Sequence, residues 1–389
     1  MMAEKEEVKI PEMLFFQEGP GVRNTQYTTS GVKLLNVANL VDGKVDLSTS
    51  DRYISEDEAY GKYRHFLCDE GDFIVASSGI KVDYIDKKMG FITKEMLPLC
   101  MNTSTIRFKA LDDSKLNIRY FMYFLKSNAF KRQLAKQITG SAQLNYGPSH
   151  LKQMTFPLID IKSQNDLVNK LDYLVRIMDK KNESIGKYDE LIKARFVEML
   201  NDSKTYPIKP LSDIAEYWNG LTYKPTDVSN DGTIVLRSSN IQSMRLDLND
   251  IVRVKCDIGD KKMVKKNDIL MCSRNGSAKL VGKVALIPDL QEQMSFGAFM
   301  MIIRSDYYPY LMTYFQLPEF RSQISTGTTT INQITRYMLD KVKLPVPDKA
   351  SIDVFAAFVA QVDKSKFAVQ KSLEKTQQLF DSLMQEYFG

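Results

Sequence analysis

The chain has 389 residues, 43% of them apolar, which is the composition of a folded globular protein and too long for one ordinary hydrophobic core. Its 53 Lys and Arg against 48 Asp and Glu leave a net charge of +5, an excess that permits nucleic-acid binding without requiring it. The four scattered cysteines, Cys68, Cys100, Cys256 and Cys272, form no CxxC pair and point to reduced thiols; with no apolar run of membrane-spanning length and no signal-peptide stretch, a cytoplasmic protein away from membranes is expected.

In chain order, residues 1–160 mix β-branched and aromatic runs, such as FIVAS at 73–77, with Gly, Asn, Asp and Pro turns, the pattern of an α+β domain. Within it, 118–137 is a helix candidate whose aromatic residues read as core, 140–145 is a Gly-x-x-x-x-Asn loop, and 154–157 is a strand ending in proline. Residues 161–203 form a spacer built on one long helix. It is free of Pro from 164 to 200, and a seam of Leu171, Leu174, Met178, Lys181, Ile185, Tyr188, Ile192, Arg195 and Met199 steps by alternating 3 and 4. Ser163 is its N-cap candidate, with Asp166 completing a capping box, and Asn201 is a left-handed terminator. Residues 204–348 repeat the first pattern, with strands at 268–273 and 281–287, a helix at 309–325, a loop at 327–332 and a Pro-ended strand at 342–345. Residues 349–389 form a second long helix, with Ser351 as N-cap, Gly389 as terminator, and a seam of Val359, Val362, Lys366, Val369, Leu373, Thr376, Phe380, Leu383 and Tyr387. Each helix is predicted to run about 38 residues, or about 57 Å.

The halves are copies. VKLLNVANLVDGKVDL at 32–47 aligns without gaps on TIVLRSSNIQSMRLDL at 233–248, matching Leu35 with Leu236, Asn39 with Asn240 and Asp46 with Asp247. Gly19 and Gly31 fall on Gly220 and Gly232 in that register; Asp72 then meets Asp268, Gln133 meets Gln323, and Ser163 meets Ser351. A domain, a helix, a domain and a helix give a pseudo-twofold object if the helices pair antiparallel, and that pairing sets Lys181 against Thr376 and Met199 near Val359. Parallel pairing is also tolerable, so the preference is modest. Two similar readers on a rigid spacer suit two half-sites on DNA, whose major groove repeats every 34 to 36 Å or so.

Base edges in the major groove need Arg or Lys for guanine and Asn or Gln for adenine. Arg274, Asn275, Ser277 and Lys279 offer such groups after a strand, with Ser78 and Lys81 at the equivalent place in the first copy. A second loop offers Gln143, Asn145 and Tyr146, matched by Thr329, Asn332 and Gln333. Any one of these residues could equally be making a turn. Asn36, Asn39, Arg237 and Asn240 read as structural or phosphate contacts, and Trp218 and Tyr223 as core.

In the order of its parts, its paired Gly-x-x-x-x-Asn loops and the Pro-ended strand before each helix, the whole chain resembles the type I restriction-modification specificity subunit. The resemblance implies two target-recognition domains, each reading half of an asymmetric split DNA site. It also implies two methyltransferase (M) subunits on the helices, and motor-nuclease (R) subunits in the full complex. S-adenosylmethionine, ATP and magnesium would then belong to those partners, with no cofactor in this chain. The sequence agrees: it has no Asn/Asp-Pro-Pro-aromatic loop and no glycine-rich cofactor loop, and 276–284 departs from a phosphate loop in spacing and in ending on Val284. His65 and His150 are the only histidines, too few for a multi-histidine metal site, and both read as structural or phosphate contacts. The reading is of a non-catalytic specificity subunit; the alternative is a coiled-coil adaptor with two protein-binding domains and no DNA target.

Overall fold

A computed structural model describes residues 5–137, 144–201, 206–324 and 332–389. The chain forms two compact units, Met1–Lys181 with Ser372–Gly389, and Asn182–Lys371. Each unit therefore holds one α+β domain together with a stretch of each long helix.

In the first unit, Leu14–Glu18, Thr105–Ala110, Phe73–Ala76 and Met89–Phe91 lie side by side in an antiparallel sheet. Phe73–Ala76 is apolar on both faces because both are covered, and it is buried throughout. A smaller sheet pairs Val32–Leu35 parallel with Leu99–Met101 and antiparallel with Tyr53–Ile54. The second unit repeats the plan: Glu216–Asn219, Met300–Arg304, Ile269–Cys272 and Val284–Leu286 are neighbours in one sheet, and Thr233–Leu236 runs parallel to Met294–Phe296 in another. The single helix expected at 118–137 is two, Ile118–Lys126 and Asn128–Gln137. Ser127 takes an extended ψ of 156° and its Oγ accepts the Phe130 amide, so it ends one helix and caps the next. The second copy breaks likewise into Tyr308–Tyr314 and Pro318–Ile324, where proline opens the second piece.

The matched residues of the two copies make matched bonds. Asn39 Oδ1 accepts the Asn36 amide (2.9 Å) and its Nδ2 donates to Asp46 O; Asn240 Oδ1 accepts the Arg237 amide (2.8 Å) and its Nδ2 donates to Asp247 O. Gln133 exchanges two hydrogen bonds with the backbone of Thr155, as Gln323 does with Lys343. Tyr120 and Tyr310 each donate to a proline carbonyl, Pro157 and Pro345, in the strand before each long helix. Buried Asp72 receives Arg107 and Lys109, and buried Asp268 receives a fork from Arg304 at 2.7 Å. Gly31 and Gly232 have φ of 123° and 108°, and a Cβ would stand 2.2 Å from Ile54 O and 2.4 Å from Val254 O, so neither position admits a side chain. The residues shared by the copies are thus scaffold.

The long helices are Ile161–Asn201 and Lys349–Phe388. Their N-caps are Asp160 and Asp348, whose Oδ1 atoms accept the amides of Ser163 (3.0 Å) and Ser351 (2.8 Å). This corrects the serine caps and the Asp166 capping box: each helix starts earlier than expected, and the serine supplies the third-residue amide that the aspartate caps. Hydrogen bonds from Ser163 also hold the Asp160 carboxyl below the usual carboxylate range. Asn201 is still helical and neither it nor Gly389 takes a positive φ, so neither is a left-handed terminator.

The helices run antiparallel within each unit. In the first, Leu171 shares a core with Met384 and Phe388, while ten residues later Lys181 Nζ donates to Thr376 Oγ1 at 2.6 Å. In the second, Asp189 pairs with Lys366, Ile192 shares a core with Val362, and the Phe196 and Phe355 rings meet edge-on at 5.6 Å. Leu171, Leu174, Ile192 and Val362 are buried; Met178, Ile185, Val359, Leu373, Phe380 and Leu383 are half-buried. The seam therefore faces inward, and its polar members Lys181, Lys366 and Thr376 are partnered.

Candidate nucleic-acid interface

The two polar loops that sequence spacing singled out in each copy come together. In the first domain the strand Phe73–Ala76 ends at buried Ser77, whose amide donates to Ser104 O and whose carbonyl accepts the Tyr146 amide. Ser78 pairs with Asn145 and Ile80 with Leu144 across a short antiparallel ladder. In the second domain Ser273 occupies the same node, with its amide on Phe299 O and its carbonyl accepting the Ile334 amide. Arg274 then bridges to Gln333, and the Asn275 amide donates to Asn332 O. Two separate segments thus form one edge in each domain, on backbone fixed by a buried strand.

The side chains on this shared backbone differ. In the first copy Ser78 Oγ donates to Ser104 Oγ at 2.6 Å, and Lys81 stands exposed at the start of a 3-10 turn, beside Tyr84 and Lys87. In the second, Arg274 lies over the Phe299 ring at 5.4 Å, taking the places of Ser78 and Ser104. Asn275 Nδ2 donates to Ser238 Oγ at 3.1 Å while its Oδ1 accepts the Ser277 amide, so Asn275 tightens the turn as well as facing outward. Ser277, Lys279, Asn332 and Gln333 are exposed. Gln143 and Thr329 lie outside the described residues, as does the side chain of Asn145.

Tyr146 is a correction. Its side chain is 2% exposed and belongs to the first domain's core, where burial pushes its phenol well above the ordinary tyrosine range. Ile334 fills the equivalent place, which shows that the position is for packing. The structure adds Phe299, Tyr223 and Arg237, which with Arg274 and Asn275 line a cavity of about 620 Å³ in the second domain. No local motif could have joined them, because they arrive on four different strands or turns. Arg237 forks onto Asp250 at 2.9 and 3.0 Å, with its Nε and the nearby Ser239 Oγ buried without partners among the described residues. In the first copy Asn102 stands where Gly297 stands, and it bonds to Asn36, Tyr27 and the Val22 amide. Trp218 donates to Lys261 O and lies under Arg304, partly packed on the core. His150 Nδ1 accepts the Gly147 amide, a structural role.

Residues 203–379 match the family model described as the type I restriction modification DNA specificity domain. The type I restriction enzyme StySPI specificity subunit of Salmonella potsdam is 29% identical over 176 residues, 42% of this chain and 38% of that protein. The EcoKI specificity subunit of Escherichia coli is 28% identical over 173 residues, 41% of this chain and 37% of its own. Each alignment thus spans about two-fifths of the relative's own length. The S subunit of the type I restriction-modification system from M. genitalium superposes over 100% of this chain and 96% of its own, with a TM-score of 0.54 and 14% identity. A chain from work on complex assembly and conformational transition of the type I R-M system superposes over 100% and 99%, with a TM-score of 0.58 and 14% identity. These two likenesses show a shared fold across the length of the chain. The fold agrees with the duplication read from the sequence, and residues 203–379 are similar to the type I restriction modification DNA specificity domain.

Proposed function

We propose that this chain is the sequence-reading, non-catalytic subunit of a type I restriction-modification complex, binding an asymmetric two-part DNA site and directing adenine-methylating and restriction partners to it. One observation carries the reading: two copies keep the same buried scaffold yet present different polar side chains at the same exposed edge. Scaffold residues such as Asn39 and Asn240 make the same bonds, while Ser78 and Ser104 are replaced by Arg274 and Phe299. Two readers of different half-sites need this combination, because register comes from the shared fold and specificity from what reaches the base edges. Phosphate contacts would come from exposed cations such as Lys81 and Lys279.

Two methyltransferase subunits and, in the full complex, restriction subunits are the proposed partners; S-adenosylmethionine, ATP and magnesium are theirs, and this chain carries no cofactor. Among the described residues no helix is long and apolar enough to cross a membrane; a cytoplasmic setting, where the DNA is, belongs to the proposal.

The test is to express the chain with its methyltransferase in a host lacking other adenine methylation and to map modified adenines by sequencing. The expected result is one split motif whose halves differ. Methylation that is unchanged when this chain is deleted, or a single contiguous motif, refutes the reading.

A further inference from the structure

Most of the second domain's arginines are committed internally. Arg237 forks onto Asp250, Arg253 onto Glu292 and Arg304 onto Asp268, while Arg245 reaches Asp363. Arg274 differs. Its backbone is anchored by the bond to Phe299 O and the bridge to Gln333, yet no carboxylate pairs with its guanidinium among the described residues. What holds the guanidinium is the Phe299 ring beneath it at 5.4 Å. Phe299 is 60% exposed, a large apolar surface left in water beside an uncommitted cation on the edge where two loops converge. Leaving that ring exposed has no benefit for folding, and the first copy avoids it with two small hydroxyls bonded to each other, Ser78 and Ser104.

An arginine laid flat on an aromatic ring keeps its five donors at the ring's rim, with its rotamers restricted before any ligand arrives. Such a fork matches O6 and N7 of guanine in the major groove, and an apolar ring edge matches the 5-methyl of thymine. The two groups are adjacent, so they meet adjacent bases. Resting on the DNA-reading function proposed above, we infer that Arg274 and Phe299 act as one specificity-determining unit, by which the second domain reads a guanine next to a thymine. Arg274 takes the guanine and Phe299 the thymine methyl. The Ser78 and Ser104 pair gives the first domain no such preference at the equivalent position. Asn275, tied to Ser238, fixes the turn on which the unit stands.

The full chain is used to select from randomised duplexes, and the half-site belonging to the second domain is the one whose preference Arg274→Ala relaxes. The expected half contains a guanine beside a thymine. Replacing that guanine by 7-deazaguanine removes N7 alone and weakens wild-type binding about tenfold, within the range a bidentate contact covers. Replacing the thymine by deoxyuridine removes one methyl and weakens it about fourfold. R274A loses the first sensitivity; F299A loses the second while keeping some preference for guanine; S78A changes neither. Melting curves of both variants should overlay the wild type, since both side chains are exposed. The inference is overturned by a second half-site without that pair of bases, by R274A relaxing neither half, or by deoxyuridine binding as well as thymine. An F299A defect that appears as lost DNA bending rather than lost methyl sensitivity makes the ring a wedge and overturns it too. A chain that selects no duplex at all refutes the DNA-reading function itself, which is a separate outcome.

Discussion

Asn240→Ala tests whether the scaffold positions the reader. Asn240 is fully buried, and its side chain makes three bonds: Oδ1 accepts the Arg237 amide at 2.8 Å, and Nδ2 donates to Asp247 O and Asp250 O, both at 2.8 Å. Alanine removes all three and leaves backbone groups of a tight turn without partners. At about 1 kcal/mol net per bond the loss is about 3 kcal/mol, equivalent to roughly a 150-fold change in local opening. The turn carries Ser238, to which Asn275 is tied, so the reading edge loosens with it. Because a protein of two units does not unfold in one step, the measurement is hydrogen exchange in the native full chain, read on peptides covering 233–254. The expected result is exchange accelerated about a hundredfold there, unchanged exchange in the first domain, and weakened binding of the second half-site only. Acceleration below about fivefold, or a uniform increase over both units, would refute the reasoning that this side chain holds the turn.

Removing the two partners of the Lys366 and Asp189 pair should have unequal effects. Asp189→Ala strands the Lys366 side chain, only 10% exposed, with its charge and is expected to cost about 1–3 kcal/mol, whereas Lys366→Met keeps the seam apolar and should be near neutral, both read as native-state hydrogen exchange on peptides around Lys366; equal losses would show that the pair is not desolvated. Burial pushes the Cys100 thiol up to about 12 and raises Cys68 and Cys272 as well, so near pH 8 iodoacetamide should label exposed Cys256 alone in the native chain; fast labelling of Cys68 or Cys100 counts against the core described here. The hydrogen bond from Lys109 holds the Asp69 carboxyl below its usual range, so its contribution is present above the unfolded pKa of about 4 and is lost as pH falls through the lower folded value. Acid unfolding followed below about pH 4 should therefore be shallower in Asp69→Asn, and an identical profile would show that the bond contributes nothing.

The sequence by itself determined everything that rests on periodicity and repetition. A heptad seam faces one way on any straight helix, so Leu171, Ile192 and Val362 had to turn inward whatever they met. A duplication must also place Asp72 and Asp268, or Gln133 and Gln323, in like surroundings, because a like sequence finds a like minimum. Antiparallel pairing was favoured only slightly by the seam; the bond from Lys181 to Thr376 within one unit and the pairing of Asp189 with Lys366 within the other decided it. Local chemistry misled at the helix starts, where serine and aspartate could each cap, and only the backbone path shows Asp160 and Asp348 receiving the third amide. Tyr146 could not be told from a surface tyrosine in a polar loop until its strand was seen folding over Ser77 into the core. Arg274 was legible as a candidate, but Phe299 was not. The two lie 25 residues apart on neighbouring segments, and only sheet pairing, which joins positions with no regular spacing in sequence, lays one over the other.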